Sequence, residues 1–490
     1  MKIKGMTILK LSLAILFLAI SFDGYAVSDE YSEYLKSQKE SFQTYKDSRD
    51  AEFIGFLKEQ WQEFKVHKGL TRDDKPKPPA LPVAEPQRAE PVIAEKIKVV
   101  EPIVVPPYKP EEKIVVPPVK DPGKPLALKI DFFMTPISIY GKYNFPNGST
   151  GPINKEVITS FWDKMSQLDY DSIISQVQVY QKQLKLNDWG YHYILYRIGM
   201  EQYSSNKNMA NLFVWYMSSK SGYESRIGYN NSQVFLLMPS RNRLYSVPFL
   251  TLNGNKYYSL FFDEQPEKFK SLFTYKGSYP DADKLMDYRI LDSPEISKII
   301  REKNLAFDYK QNNLDVKAQY NKNLVDFFKY YPQTNIKVYF DALVSPELEY
   351  TLLKSLKPMV EGKTEVEAVN TLLRFVQKSF SYKTDDGQFG HEKYMLPEET
   401  VFYPYSDCED RSFFFAYLVK KLLNLDVVGL DYPGHISTAV KFTDNLPGDY
   451  VVRNNKKYMI CDPTYINARL GMAMPQFKNV KPEIIKIDNL

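Results

Sequence analysis

The chain predicts an α+β protein of several domains, and three observations lead there. In the last 140 or so residues helical periods come first and strand patterns follow. The same helix-then-strand plan occurs earlier, from about 127 to 265. A Pro-rich stretch with neither period separates this folded part from an N-terminal helical segment.

A length of 490 residues allows two to four domains. The formal charge of +4, on 25% charged residues, leaves no basic footprint for nucleic acid. Aromatic residues at 14% suit folded, strand-containing domains better than disorder. Residues 1–26 read as a secretory signal peptide. Lys2, Lys4 and Lys10 precede the apolar run Leu11 to Phe22, and Gly24-Tyr25-Ala26 offers small residues for cleavage after Ala26. The run is short for a membrane span of ~20 residues, although an uncleaved anchor is the alternative. No cysteine near this point supports a lipid anchor, and no later segment is apolar enough to span. The expected location is therefore exported, periplasmic or associated with the cell envelope, with no transmembrane span after cleavage.

Within residues 27–74, Tyr31, Leu35, Phe42, Tyr45, Phe53, Leu57, Trp61 and Phe64 recur at threes and fours, giving an amphipathic helical segment. It docks either on an envelope protein partner or on the chain's own body. Residues 75–126 form a linker with Pro throughout and a short repeat, IVVPPYKPEE then IVVPPVKDPG. Polyproline II makes it a spacer, or it serves as a flexible tether. Residues 127–265 form an α+β domain. It opens with the strand-like LALKIDFFMTPISIYG, and helices follow at about 154–185 and 189–204. Another helix ends at Gly222 and leads into strands. Residues 266–349 read as a small β-rich connection. Asn312-Asn313 turns one strand pair, and NIKVYFDALVS is a further strand. Residues 350–490 carry two helices, the strongly apolar helix CEDRSFFFAYLVKKLLNL and four successive strands.

The chemistry concentrates in that last domain. Cys408 opens a helix, where the macrodipole and unpaired N–H groups favour a thiolate and can receive an oxyanion. Glu409 and Asp410 in the first turn oppose the thiolate, so a cationic partner is required; His435, behind Pro433-Gly434, can be that partner. Asp462, at a strand end, can accept the other imidazole N–H and fix the tautomer. Cys408, His435 and Asp462 are thus the candidate nucleophile, base and orienter. Asp410 suits a structural hydrogen bond. Gln388 is a weaker candidate as an oxyanion donor, and His391 precedes the nucleophile and is set aside. Cys461 adjoins Asp462 in a strand and so faces the other way, as a buried thiol and not a disulfide partner of Cys408. No His, Cys or carboxylate spacing suggests a metal, and no cofactor is expected.

Taken together, LLRFVQKSFSYKTDD, LPEETVFYPYSDCEDRSFFFAYLVKKLL, HISTAVKF and YMICDPTY resemble the core of the transglutaminase-like superfamily over roughly the last 140 residues. The resemblance implies a papain-like fold and thiol acyl chemistry, with Cys408, His435 and Asp462 as its catalytic triad. The substrate would be a protein or peptide, attacked at an amide or isopeptide bond through an acyl-thioester. Hydrolysis is slightly favoured over transamidation. One departure is Ile436-Ser437 in place of the aromatic residue that often follows the His. The region 127–265 also reads as a degenerate, Cys-free copy of that domain, with Gly228 matching Gly429, Lys207 matching Cys408 and Gln233 matching His435. Coincidence of a common pattern is the other reading. A non-catalytic envelope assembly or binding protein using the same fold remains the alternative to an enzyme.

Overall fold

The computed structural model describes residues 29–72, 77–78, 80–85, 99–101, 103–105, 108, 123–148, 151–230, 232–265, 269–310 and 312–488. The expected signal peptide lies outside them. The chain divides into two compact units, Met1–Phe56 and Leu57–Leu490. Helix α1 (Asp29–Glu59) supplies the described part of the first, where Tyr34, Leu35, Phe42 and Tyr45 are exposed. Among the described residues no helix is long and apolar enough to cross a membrane.

The expected helix continued to Phe64, but it ends at Glu59 and β1 (Gln62–Lys65) follows. Trp61 meets Tyr229 and Tyr275 edge-on, at 5.0 and 5.2 Å between ring centroids. Phe64 and Val66, two apart, pack together on one sheet face. So few apolar residues fit either period, and tertiary packing decides.

β2 (Leu126–Phe132) and β3 (Thr135–Tyr140) form a hairpin. Four helices follow: α2 (Lys155–Ser166), α3 (Tyr170–Gln183), α4 (Asp188–Gln202) and α5 (Lys207–Lys220). Each is capped by a side chain, Asn154, Asp169, Asn187 or Asn206, accepting from the N–H three residues on. Next come β4 (Arg226–Tyr229), β5 (Val234–Pro239), β6 (Phe249–Leu252), β7 (Asn255–Ser259) and β8 (Ser271–Thr274). This region therefore takes a strand from either side of its expected limits.

The connection contains the long hairpin of β9 (Ile300–Tyr309) and β10 (Asn312–Asn321), then α6 (Lys322–Phe328) and α7 (Ile336–Phe340). Tyr309 pairs with Asn312, so the turn falls before the expected Asn-Asn pair. The expected strand NIKVYFDALVS is instead helical at α7. Ile336, Val338, Tyr339 and Phe340 are all buried, which removes the alternation in exposure that a half-buried strand needs.

The last region holds α8 (Pro346–Val360), α9 (Glu365–Ser379), β11 (Ser381–Tyr382), α10 (Asp385–Phe389), α11 (Pro397–Phe402), β12 (Tyr405–Ser406) and α12 (Cys408–Leu418). A π turn extends α12 over Val419–Leu423. β13 (Asp426–Tyr432), β14 (His435–Lys441), β15 (Tyr450–Arg453), β16 (Lys456–Cys461) and β17 (Glu483–Lys486) complete it. The α+β plan expected from the sequence is the one observed.

The two large sheets share a connectivity. The first runs β1-β8-β4-β5-β7-β6, and the second, read from its far edge, β17-β13-β14-β16-β15. Apart from the added β1, the strands correspond one for one, each set preceded by a helix. Gly228 and Gly429 sit in corresponding strands, and each makes room for a side chain from elsewhere. A Cβ on Gly429 would stand 2.4 Å from the buried Phe340 ring; on Gly228 it would stand 2.8 Å from Leu272 Cδ1. The rigid ring cannot turn aside as a Leu methyl can. Gly429→Ala is therefore expected to cost about 1–3 kcal/mol in thermal or denaturant unfolding. Gly228→Ala should cost less, and the reverse order would contradict this packing.

The stretch 75–126, expected as a free spacer or tether, is anchored where it is described. The Ala84 N–H donates to Ile466 O at 2.7 Å, and Ile466 N–H donates to Pro82 O at 2.9 Å. Val100 N–H donates to Lys363 O, Ile103 N–H donates to Glu361 Oε1, and the Ile103 side chain is buried. Proline removes donors only at its own positions, so the intervening residues keep theirs.

Candidate active site

Cys408 is the first residue of α12, His435 the first of β14, and Asp462 follows the last residue of β16. Helix and strand are tied one turn beyond the thiol, where Ser412 Oγ donates to Ile436 O at 3.1 Å. β14 and β16 are antiparallel neighbours, with Thr438 opposite Cys461, which brings Asp462 to the His435 end. His435 Nε2 lies 2.8 Å from Asp462 Oδ2, and both side chains are buried. The other carboxylate oxygen accepts from Thr464 N–H, Thr464 Oγ1 and Tyr465 N–H. Burial would raise the Asp462 carboxyl, but His435 and the Thr464 hydrogen bonds hold it below its ordinary value.

Phe477 stacks on the His435 ring, at 5.0 Å and 10°. The aromatic neighbour missing at 436 thus comes from a distant turn. Both cysteines are free, as expected, and Gln388 makes no hydrogen bond to Cys408 or His435. His391 bonds Phe389 O and Gln265, apart from the pair. Asp410 is structural, accepting from Met395 N–H at 2.8 Å and Asp407 N–H at 3.2 Å.

The Cys408 thiol donates to Glu409 Oε2 at 2.8 Å, and no hydrogen bond joins it to His435. Burial pushes the thiol well above its ordinary value, with Glu409 and Asp407 adding to this and Lys77 opposing it. Lys77 comes from the Pro-rich stretch. Its ammonium lies 2.8 Å from Asp407 Oδ2, 2.8 Å from Glu392 Oε1 and 3.4 Å from Asp385 Oδ2, and it contacts Glu409 Oε1. Burial works against the ammonium, yet Glu409, Asp407 and Asp385 hold it protonated well above its ordinary range. Burial likewise raises Asp385 to about 7 and Glu392 to about 8.

Residues 77–78 and 80–85 together make a strap. Lys77 sits at the thiol, Pro78 O accepts from Tyr382 Oη at 2.7 Å, and Ala84 packs with Tyr465, Ala468 and Met474 just past Asp462. Sequence spacing suggested no metal set, yet the fold gathers two. The carboxylates of Asp385, Glu392 and Glu409 lie within 4.8 Å of one another, as do those of Asp385, Asp407 and Asp410. All three members of the first set also face the Lys77 ammonium, so a cation is already supplied there by the chain.

The Pro-Glu-Glu stretch is structural. Glu399 pairs with Lys393 at 2.7 Å, and Glu398, buried, accepts from Ser345 N–H at the start of α8. Burial raises Glu398 to about 7. The folded state then holds a proton that the unfolded chain releases above its ordinary range. This contribution is full below about pH 4.5 and is lost as pH rises through about 7, amounting to roughly 3 kcal/mol. Glu398→Gln is expected to flatten the decline in melting temperature between pH 5 and 8, and an unchanged slope would refute this assignment.

At the corresponding corner of the first sheet, Lys207 opens α5, Gln233 precedes β5, and Phe261 and Phe262 follow β7. These residues line a cavity of about 210 Å³, and Lys207 pairs with Glu264. Among the described residues that line it there is no cysteine or histidine, and its carboxylates are Asp263 and Glu264. No family model, curated protein or solved structure matches the chain.

Proposed function

We propose that the protein is an exported thiol enzyme of the transglutaminase-like, papain-fold kind, acting on peptide or isopeptide amide bonds. The observation that carries this reading is the buried His435–Asp462 pair at the strand end beside the helix that Cys408 opens. Asp462 engages Nε2, which leaves Nδ1 to take the thiol proton. The thiolate adds to the amide carbonyl, and N–H groups at the start of α12 receive the oxyanion. His435 returns the proton to the leaving amine, and the acyl-thioester passes to water, or to an amine. The shared connectivity of the two sheets supports reading 127–265 as a copy without the catalytic groups, suited to binding or covering.

The thiol's bond to Glu409 favours a second reading, a binding protein of the envelope that keeps the fold without using the thiol. Strap release separates the two. Ala84→Asp places a charge among Tyr465, Ala468 and Met474 and dislodges the strap without touching the triad. Iodoacetamide labelling of Cys408, read by peptide mass, is expected to accelerate in Ala84→Asp, because access to the buried thiol outweighs loss of the Lys77 ammonium, and to fall back when His435→Ala is added. Labelling that stays slow, or ignores His435, sinks the enzyme reading.

A further inference from the structure

We propose that the carboxylate pocket beside Cys408 recognises a lysine-type primary ammonium on a substrate peptide, and that Lys77 is its internal occupant. This rests on the Cys408 site being the reactive centre, and it names the substrate class for that site.

Four carboxylates, from Asp385, Glu392, Asp407 and Glu409, converge on one ammonium. They come from α10, the loop after it, the residue preceding α12 and the first turn of α12, so the pocket is built by the fold of the C-terminal region. The occupant comes from more than 300 residues away in the chain. Asp407 is wholly buried, and among the described residues no donor reaches its second oxygen, Oδ1. A buried carboxylate oxygen left in that state is costly unless a donor comes to it. The side chain of Lys77 is only 8% exposed, so the pocket already accepts a whole lysine side chain.

Position argues for recognition of a substrate over a purely structural pair. Glu409 holds the ammonium with Oε1 and the thiol with Oε2, so one carboxylate separates the bound amine from the nucleophile. Beyond Lys77, Pro78 O accepts from Tyr382 Oη, and Pro82 and Ala84 bond the backbone of Ile466. A substrate with a lysine followed by an extended segment presents the same groups to the same partners. The ammonium is bound as a cation, which fixes the register of the peptide over the thiol.

The test is binding to the full mature chain. Lys77→Ala leaves a methyl group, and n-propylammonium restores the atoms removed. Calorimetry is expected to show n-propylammonium binding this variant about tenfold or more tighter than 1-propanol, its neutral isostere. A synthetic peptide of residues 76–85 should bind Lys77→Ala/Ala84→Asp and displace the amine, whereas the same peptide with acetylated lysine should not. Equal binding of amine and alcohol, or of both peptides, overturns the proposal. So does calcium chloride displacing the amine at lower concentration than the peptide does, since the pocket is then a divalent-cation site. Near-ultraviolet circular dichroism confirms the fold of each variant, and Lys77→Gln replaces any that fails. These readouts need no reactive thiol, so they stand or fall apart from the labelling result.

Discussion

In Glu409→Gln, Cys408 is expected to react with iodoacetamide about tenfold or more faster than in the parent protein near neutral pH. The thiol is buried, and among the described residues its hydrogen-bond partner is the Glu409 carboxylate. An anion at that distance opposes a second anion. In a medium of effective dielectric constant about 20 the opposition is several kcal/mol, well beyond the 1.4 kcal/mol of a tenfold change. Glutamine keeps the shape and removes the charge. It also removes one of the four carboxylates on Lys77, which loosens the strap over the site. Loss of Lys77 acts the other way, because its ammonium favours the thiolate. The adjacent Glu409 charge is the larger influence, so the net change is acceleration. Slower labelling in the variant would mean that Glu409 itself takes the thiol proton.

The second large effect concerns Arg411. Its guanidinium is wholly buried; Nη2 donates to Phe380 O at 2.7 Å and Nε donates to Ser406 Oγ at 3.1 Å. It ties the strand pair β11 and β12 to the first turn of α12 and faces the charges of Asp407 and Asp410. Burial lowers it to about 10, so it remains charged at neutral pH. Arg411→Met leaves a buried carbonyl and hydroxyl without their donor, and leaves Lys77 as the cation facing the acidic turn. The expected loss is about 3–5 kcal/mol, the range for breaking a buried charged network. For a unit of this size that is about 3–6 °C in melting temperature. Differential scanning calorimetry of the purified variant checks it, and a change under about 2 °C would show that the carbonyls find other partners.

What could be read from the sequence followed a physical divide. Two helices of the last region were legible because Ser345 and Thr364 cap apolar periods, and the third because the run after Cys408 is long, apolar and free of Gly and Pro. His435 and Asp462 were legible because each stands at a strand end marked by a neighbouring proline. α7 was misread because four of its five residues are buried and the turn is too short to show a helical period. The pocket carboxylates are scattered over positions 385, 392, 407 and 409 with no spacing of their own, and only the folded chain collects them. Lys77 was the least legible of all. It lies in a stretch whose composition reads as a tether, and nothing local marks its ammonium as the cation that the acidic neighbours of Cys408 require. His435 was expected to supply that charge, and the fold assigns it to Lys77 as well. Phe477 was missed for a related reason, since it reaches His435 from a turn outside any strand.

The strap belongs to the same chain as the site, so its lysine is never diluted. A tethered group of this kind acts at an effective concentration in the millimolar range or above, whatever the amount of protein. Free amines at micromolar levels cannot compete with it. A polymer carrying many amines close together can, because each departure of Lys77 is met by a high local supply of rivals. The covalent attachment of one residue thus sets a threshold. On the proposed reading, the site favours surfaces on which amines are crowded over dissolved amines.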